Sequence, residues 1–258
     1  MKFATTTLLV LCFLAELSFA QVTFQPRKLS NNNRGIIYNQ EIATDLRLQT
    51  NGWSVGMNWG KLKTYYLTRF YYADFGERKH LREIMFNPGI GQDRYIYGKQ
   101  NNLFVLRAGI GEKRFLTEKA AKKGVAVGFS YRAGPALGLL KPYYLDVSTE
   151  AQGANATRSI KFEDNELLFL NESRIRSNSG FLVGWGEVSP ALGVQAMGSL
   201  HISWGAFEEY VRAIEAGIMV DFFFREIPIL VETANSPAFQ NKPLFLNIFL
   251  NFQFGKRK

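Results

Sequence analysis

The stretch HISWGAFEEYVRAIEAG, His201 to Gly217, sets His201, Ser203 and Glu215 close together. A histidine within reach of a serine hydroxyl can take its proton, and a carboxylate behind the histidine holds the ring in the tautomer that does so. The three residue types are therefore those of the base, nucleophile and orienting acid of a hydrolase. A second set, Glu41, Asp45, Arg47, Arg107, Arg132, Glu215 and Asp221, is ionic and spread along the chain. Buried charges need partners, so this set reads as ion pairs inside a fold, with a conducting path as the competing reading. Which chemistry is available depends on the elements that carry these residues and on the side to which each points.

Those elements are strands, because apolar and polar residues alternate with period two in run after run. From Ile36, the apolar parity Ile36, Tyr38, Ile42, Leu46, Leu48 opposes Asn39, Glu41, Asp45, Arg47, Gln49. Trp53, Val55, Met57 and Trp59 form the next apolar face, after a Thr50-Asn51-Gly52 turn. A third run covers 64–76, a fourth centres on Phe104 to Gly111, and a fifth on Val125 to Arg132. The last three are Val194 to Trp204, Ile214 to Phe224 and Leu244 to Phe254. Each is long enough for a tilted bilayer crossing of about 9–11 residues. Short connections near Lys61–Lys63, Thr117–Lys123 and Ala206–Tyr210 alternate with long ones at 77–101, 141–192 and 227–241. Only the first external connection is short. The pattern predicts an all-β fold: an antiparallel up-and-down transmembrane β-barrel of eight strands, or ten if the 141–192 loop adds a hairpin.

Alternation alone does not say which face meets lipid; the width of the barrel does. An eight-stranded lumen is just wide enough to be filled by side chains. Trp53, Trp59, Phe129, Tyr131, Trp204, Phe222, Phe224, Phe252 and Phe254 are too bulky as a set for that space and suit a lipid-facing band with aromatic girdles. The opposite face is rich in small and polar residues. It carries the expected lumen cluster: Glu41, Asp45, Arg47, Arg107, Arg132, His201, Glu215 and Asp221.

The N-terminal MKFATTTLLVLCFLAELSFA has a lysine, a short apolar run and small residues at Ser18 and Ala20, the marks of a signal peptide over residues 1–20. The mature chain, 21–258, is then one barrel domain in the outer membrane of a Gram-negative cell. The single cysteine, Cys12, falls in the leader, which removes disulfide and thiolate chemistry. The net charge of +9 in an exported chain points to lipid phosphates rather than nucleic acid, and Lys79, Arg82, Arg94 and Lys99 in the 77–101 loop are placed to meet lipopolysaccharide. His80 and His201 are too far apart in sequence to suggest a metal site. RAGIGEKR and NPGIGQDR carry G-x-G without a nucleotide fingerprint, so no cofactor is expected. The terminal LFLNIFLNFQFGKRK resembles the strand that barrel-assembly machinery reads, apart from its basic tail. Expected partners are outer-membrane lipids, that machinery during insertion, and an envelope protein that the residues do not identify. The 141–192 segment, with NELLFLNESRIRSNSGFLVGWGEVSP, is read as an extra hairpin, a plug helix or a partner surface.

The stretch YGKQNNLFVLRAGIGEKRFLTEKAAKKGVAVGFSYRAGPALGLLKPYYL, together with AIEAG and FQFGKR, resembles uncharacterised outer-membrane β-barrel proteins of Bacteroidota. The resemblance implies the fold and the location and brings no activity with it. His201, Ser203 and Glu215 have the separations of the triad in the lipid A deacylases, also eight-stranded barrels. That resemblance would make Ser203 the nucleophile, His201 its base and Glu215 the orienter. Three features favour a polar lumen cluster instead, with no catalytic residue. The parity of His201 and Ser203 points inward. They lie at the periplasmic end, away from outer-leaflet substrate. Trp204 also stands where a polar helper would be expected. A structural or interaction role in the envelope is the reading preferred over deacylation and over a small-solute channel.

Overall fold

The computed structural model describes residues 38–87, 89, 93–117, 124–148, 157–204, 209–231 and 241–258. The leader, Cys12 and Ile36 lie outside the described residues, as do most of the Thr117–Lys123 and Ala206–Tyr210 turns. Thirteen strands follow one another: β1 Gln40–Gln49, β2 Gly52–Thr64, β3 Leu67–Arg78, β4 Met85–Phe86, β5 Tyr95–Ile96, β6 Asn101–Phe115, β7 Ala126–Pro142, β8 Leu145–Ser148, β9 Thr157–Ile160, β10 Ile175–Asn178, β11 Ser189–Ser203, β12 Tyr210–Phe223 and β13 Leu244–Arg257. Eight of them close a barrel in the order β1-β13-β12-β11-β7-β6-β3-β2. Each wall strand pairs antiparallel with its neighbours in the chain, and β13 returns to β1. Among the described residues no helix is long and apolar enough to cross a membrane.

The registers give the size of the barrel. Paired residues followed round the wall from Gln40 are Lys61, Arg69, Glu112, Tyr131, Gly198, Ile218 and Ile248. The circuit closes at Thr50, whose amide donates to Ile248 O at 3.0 Å, ten residues beyond its start. That stagger over eight strands corresponds to a tilt of about 40° and a wall radius of about 8 Å. Side chains can fill such a lumen completely.

The alternation has become two surfaces. In β11 every second side chain from Ala191 to Ser203 is buried, and those between are exposed. The expected outward aromatics Trp53, Trp59, Phe129, Tyr131, Phe222, Phe224 and Phe254 are exposed, and Trp204 and Phe252 are partly so. Leu46, Met57, Ile110, Leu200, Ile218 and Ile248 complete an apolar outer belt. A polar inside and an apolar outside invert the arrangement of a water-soluble barrel and fit a hydrocarbon surround.

The wall has the expected eight strands, and the extra hairpin that would have made ten is absent from it: the strands within 141–192 form a separate sheet, β10-β8-β9. Three further details are decided by the structure. The turn between β2 and β3 lies at Tyr65–Tyr66, beyond the expected Lys61–Lys63, since pairing continues to Thr64↔Leu67. Large rings are not all outward: Phe70, Tyr72, Phe223 and Phe249 are buried inside. Glycines on facing strands make room for two of them, because a Cβ at Gly111 would lie 2.5 Å from Phe70 and one at Gly138 2.9 Å from Phe223. Finally, neither Thr50 nor Asn51 has positive φ, so the first hairpin is not a type I′ turn. Gly52 takes φ 146° instead, and any Cβ there would fall 2.0 Å from Glu77 O on β3.

The end of the barrel bearing the long connections is closed by apolar side chains. Leu103, Val105, Ala136, Leu140, Ala191 and Phe223 line the mouth, and Ile227 and Ile229 from the connection after β12 pack among them. Backbone bonds hold that connection in place: Gln100 N donates to Ile229 O at 2.8 Å and Val231 N to Gly98 O at 2.8 Å. The three-stranded sheet has its own core of Tyr95, Tyr143, Leu145, Val147, Ile160, Phe169 and Ile175. Phe169 comes from the one-turn helix α1, Glu166–Phe169, which Asn165 caps by accepting from Leu168 N at 3.0 Å.

Candidate functional site

The lumen is where the expected site residues meet. Glu41, Asp45 and Arg47 descend from one face of β1; Arg107, Arg132, His201, Glu215 and Asp221 come from β6, β7, β11 and β12, and all eight are buried. Arg107 bridges two carboxylates, with Nη1 2.9 Å from Asp74 Oδ1 and Nε 2.8 Å from Asp221 Oδ1. Arg47 reaches Asp74 at 3.2 Å, and Arg78 bonds Asp221. Lower in the barrel, Arg132 joins Asp45 at 2.9 Å to Glu215 at 2.6 Å. Lys113 donates to Glu41 at 2.8 Å and to Gln253 at 2.6 Å, and Arg257 holds the second Glu41 oxygen at 2.9 Å.

Charge balance follows from this inventory. The carboxylates of Glu41, Asp45, Asp74, Glu215 and Asp221 face five buried cations, Arg47, Arg78, Arg107, Lys113 and Arg132, with the partly exposed Arg257 adding a sixth at Glu41. Neutral amides satisfy the remaining lone pairs: Asn58 and Gln253 each donate to Asp45 at 2.8 Å, and Asn251 donates to Glu215 at 2.9 Å. Rings cover the guanidinium faces, with Phe70 and Tyr72 at 5.3 and 5.5 Å from Arg132 and Phe249 at 5.3 Å from Arg47. Charges this well matched are stable out of water only as a set, because removing one leaves another unpaired.

Asp74, Arg78 and Lys113 belong to this network and are absent from the sequence-derived cluster. The signal that places Asp74 and Arg78 is parity in β3, where Thr68, Phe70, Tyr72, Asp74 and Arg78 all point inward. It is masked because Tyr71 and Phe75 put rings on the other face as well. Lys113 lies in the part of β6 beyond Gly111, where the pairing persists after the apolar pattern ends.

The three residues of triad type come together only in part. His201 pairs with Glu215 across the β11–β12 ladder, and its Nδ1 is 2.9 Å from Glu215 Oε1. Phe115 meets the imidazole edge-on at 5.3 Å. Glu215 is also committed to Arg132 and Asn251, so it is a hub of the network and not a carboxylate reserved for one histidine. Ser203 is buried on the same inner face, and among the described residues its hydroxyl makes no hydrogen bond to His201. A buried serine facing the barrel axis has no path to an acyl chain outside the wall. Ser203→Ala is therefore expected to leave the acylation of lipid A in the producing cell unchanged, as read by mass spectrometry. An acyl chain lost only with the unaltered protein would reverse that expectation.

Of the four basic residues expected to face lipopolysaccharide, Lys79, Arg82 and Arg94 are exposed. Lys99 is buried, with its ammonium 3.0 Å from Glu83 and over the Tyr143 ring at 5.8 Å. It holds the loop to the barrel and is not available to a phosphate.

No known family and no curated protein matches this chain. Among solved structures it is similar to the N-terminal β-barrel domain of OprF from Pseudomonas aeruginosa, at 8% identity and a TM-score of 0.36 over 86% of this chain and 98% of that one. It is also similar to Ail, the attachment invasion locus protein of Yersinia pestis, at 6% identity and a TM-score of 0.34 over 85% of this chain and 95% of that one. Neisserial surface protein A gives 7% identity and a TM-score of 0.34 with the same coverages, 85% and 95%. Likeness at this level carries nothing about activity or partners, and the fold stands on the strand registers themselves: this chain is a closed, antiparallel, eight-stranded β-barrel.

Proposed function

We propose that the protein is an outer-membrane barrel whose lumen is sealed and whose role is to hold a folded external layer at the cell surface for interaction with another envelope component. One observation carries this reading. The lumen is occupied by a balanced ionic network and capped by an apolar lid, while a second sheet with its own core is built outside the wall. A conducting path would need unmatched charge or open space along the axis. The external sheet contributes nothing to closing the wall, so its ordered core points to a use of its own. Location in the outer membrane is supported by the apolar belt, by the strand lengths and by the leader-like residues 1–20. The lipids of that membrane, including lipopolysaccharide, and the assembly machinery are the partners this reading requires, and no cofactor enters.

Two measurements test it. In planar bilayers the purified protein is expected to show no steady conductance; reproducible single-channel steps would overturn the sealed lumen. In envelope extracts, crosslinked partners of the full chain should be lost when residues 143–188 are replaced by a short linker. Partners unchanged by that replacement would remove the external layer from the proposed role.

A further inference from the structure

Phe104 is an outward residue of β6, in parity with Leu106 and Ile110, yet it is only 5% exposed while those two are 45% and 64%. What covers it is a chain segment that folds back over the outer wall. The Trp185 ring stacks on Phe104 with centroids 5.6 Å apart, and Phe181 meets it edge-on at 6.1 Å. Phe75, outward on β3, stacks on its other side at 5.9 Å. Trp185 Nε1 donates to Phe181 O at 3.1 Å and closes the segment into a tight loop. Gly180 and Gly184, at φ 89° and 88°, reverse the chain on either side of its apolar tip. Its base is fastened where Lys161 reaches Glu187 at 2.6 Å and Tyr144 donates to Glu187 at 3.0 Å. These two bonds hold the Glu187 carboxyl below the usual carboxylate range.

The loop presents its apolar side chains away from the wall. Leu182 is 83% exposed and Phe181 60%, with Val183 and Trp185 partly exposed beside them. In water, such a contiguous patch would be costly. Here it is continuous with the apolar belt at the end of the barrel that carries the long connections. Lys141, near the end of β7, is only 2% exposed and lies under the Phe181 and Trp185 rings at 5.1 and 5.8 Å, so a buried cation–π contact fastens the loop to the wall. Exposed rings at the rim of a hydrocarbon belt suit the membrane interface.

We infer that Phe181–Trp185 is a membrane-interface anchor: its side chains enter the outer leaflet beside β6 and β7, with acyl chains against Leu182 and Phe181. The anchor ties the external sheet to the bilayer surface through a lipid contact. It rests on the outer-membrane reading above.

The test separates the two. One variant keeps only Trp185 (Trp53→Phe, Trp59→Phe, Trp204→Phe), and another keeps only Trp59 in the belt (Trp53→Phe, Trp185→Phe, Trp204→Phe). Both are refolded into phosphatidylcholine vesicles whose acyl chains are brominated at a shallow or a deep position. Trp185 emission is expected to be quenched at least twofold by the shallow bromines, less by the deep ones, and to be protected from aqueous iodide. Leu182→Asp, at an exposed site that folding does not use, should lessen the shallow quenching. Trp59 quenched while Trp185 stays unquenched and open to iodide would overturn the anchor alone. Trp185 shielded from iodide but not quenched by lipid would mean that protein covers it, which also overturns the anchor. If neither tryptophan is quenched, the barrel is not in the bilayer, and both readings fall.

Discussion

Arg107→Met should be among the most damaging single substitutions in the chain, lowering stability by about 3–5 kcal/mol. The guanidinium stands between Asp74 and Asp221 with less than 4 Å to each, and it is buried. Methionine fills similar space but leaves five buried carboxylates against four buried cations, and Arg257, the remaining cation, is bonded to Glu41 and not to Asp74 or Asp221. The expected readout is a lower urea midpoint in vesicles, with earlier loss of the compact band on unheated detergent gels. Charge, and not packing, can be shown to be the cause. Adding Asp74→Asn to Arg107→Met restores four against four, leaving Arg47 with Asp45, Arg78 with Asp221, Arg132 with Glu215 and Lys113 with Glu41. The double variant should recover at least half of the loss. Equal stability of the single and double variants would mean that the network does not act through charge balance.

The second large effect lies on the opposite face. Ile218, in the middle of β12, is 54% exposed, and on a water-soluble protein Ile218→Arg would change stability by no more than about 0.5 kcal/mol. Facing the middle of a bilayer, the same arginine should cost about 2–4 kcal/mol. Reversible urea unfolding in lipid vesicles measures the difference. A cost within the range of an ordinary surface change would mean that hydrocarbon does not surround the belt. Both predictions depend on one geometric fact: neighbouring residues of a strand meet opposite media. Gly217 points to the lumen and Ile218 away from it.

That fact was legible from the residues wherever the two faces differ in chemistry. Trp53, Val55, Met57 and Trp59 against Ser54, Gly56, Asn58 and Gly60 leave no doubt about which side is which. β3 was not legible in this way, because LTRFYYADFGER puts rings on both faces, and Asp74 and Arg78 went unassigned with it. The pairings were beyond reach for a different reason. Arg107 meets Asp221 across 114 positions of sequence and Lys113 meets Gln253 across 140. Nothing local specifies which strand lies opposite which across a lumen. The His201–Glu215 contact was the exception, since consecutive antiparallel strands joined by a short turn bring residues at that spacing side by side.

By itself, then, the order of residues determined the strands, the face each side chain takes wherever the two faces differ in chemistry, the alternation of short and long connections, and a wall of eight strands with ten as the one alternative. These are consequences of period-two geometry and of the width of an eight-stranded lumen. Only the tertiary structure decided how the charges pair, that Ile227 and Ile229 turn inward to cap the mouth, and that Phe181 and Trp185 fold back onto Phe104 outside the wall. Those outcomes depend on the stagger with which the sheet closes and on where long connections find apolar surface. Neither is set by any single stretch of chain.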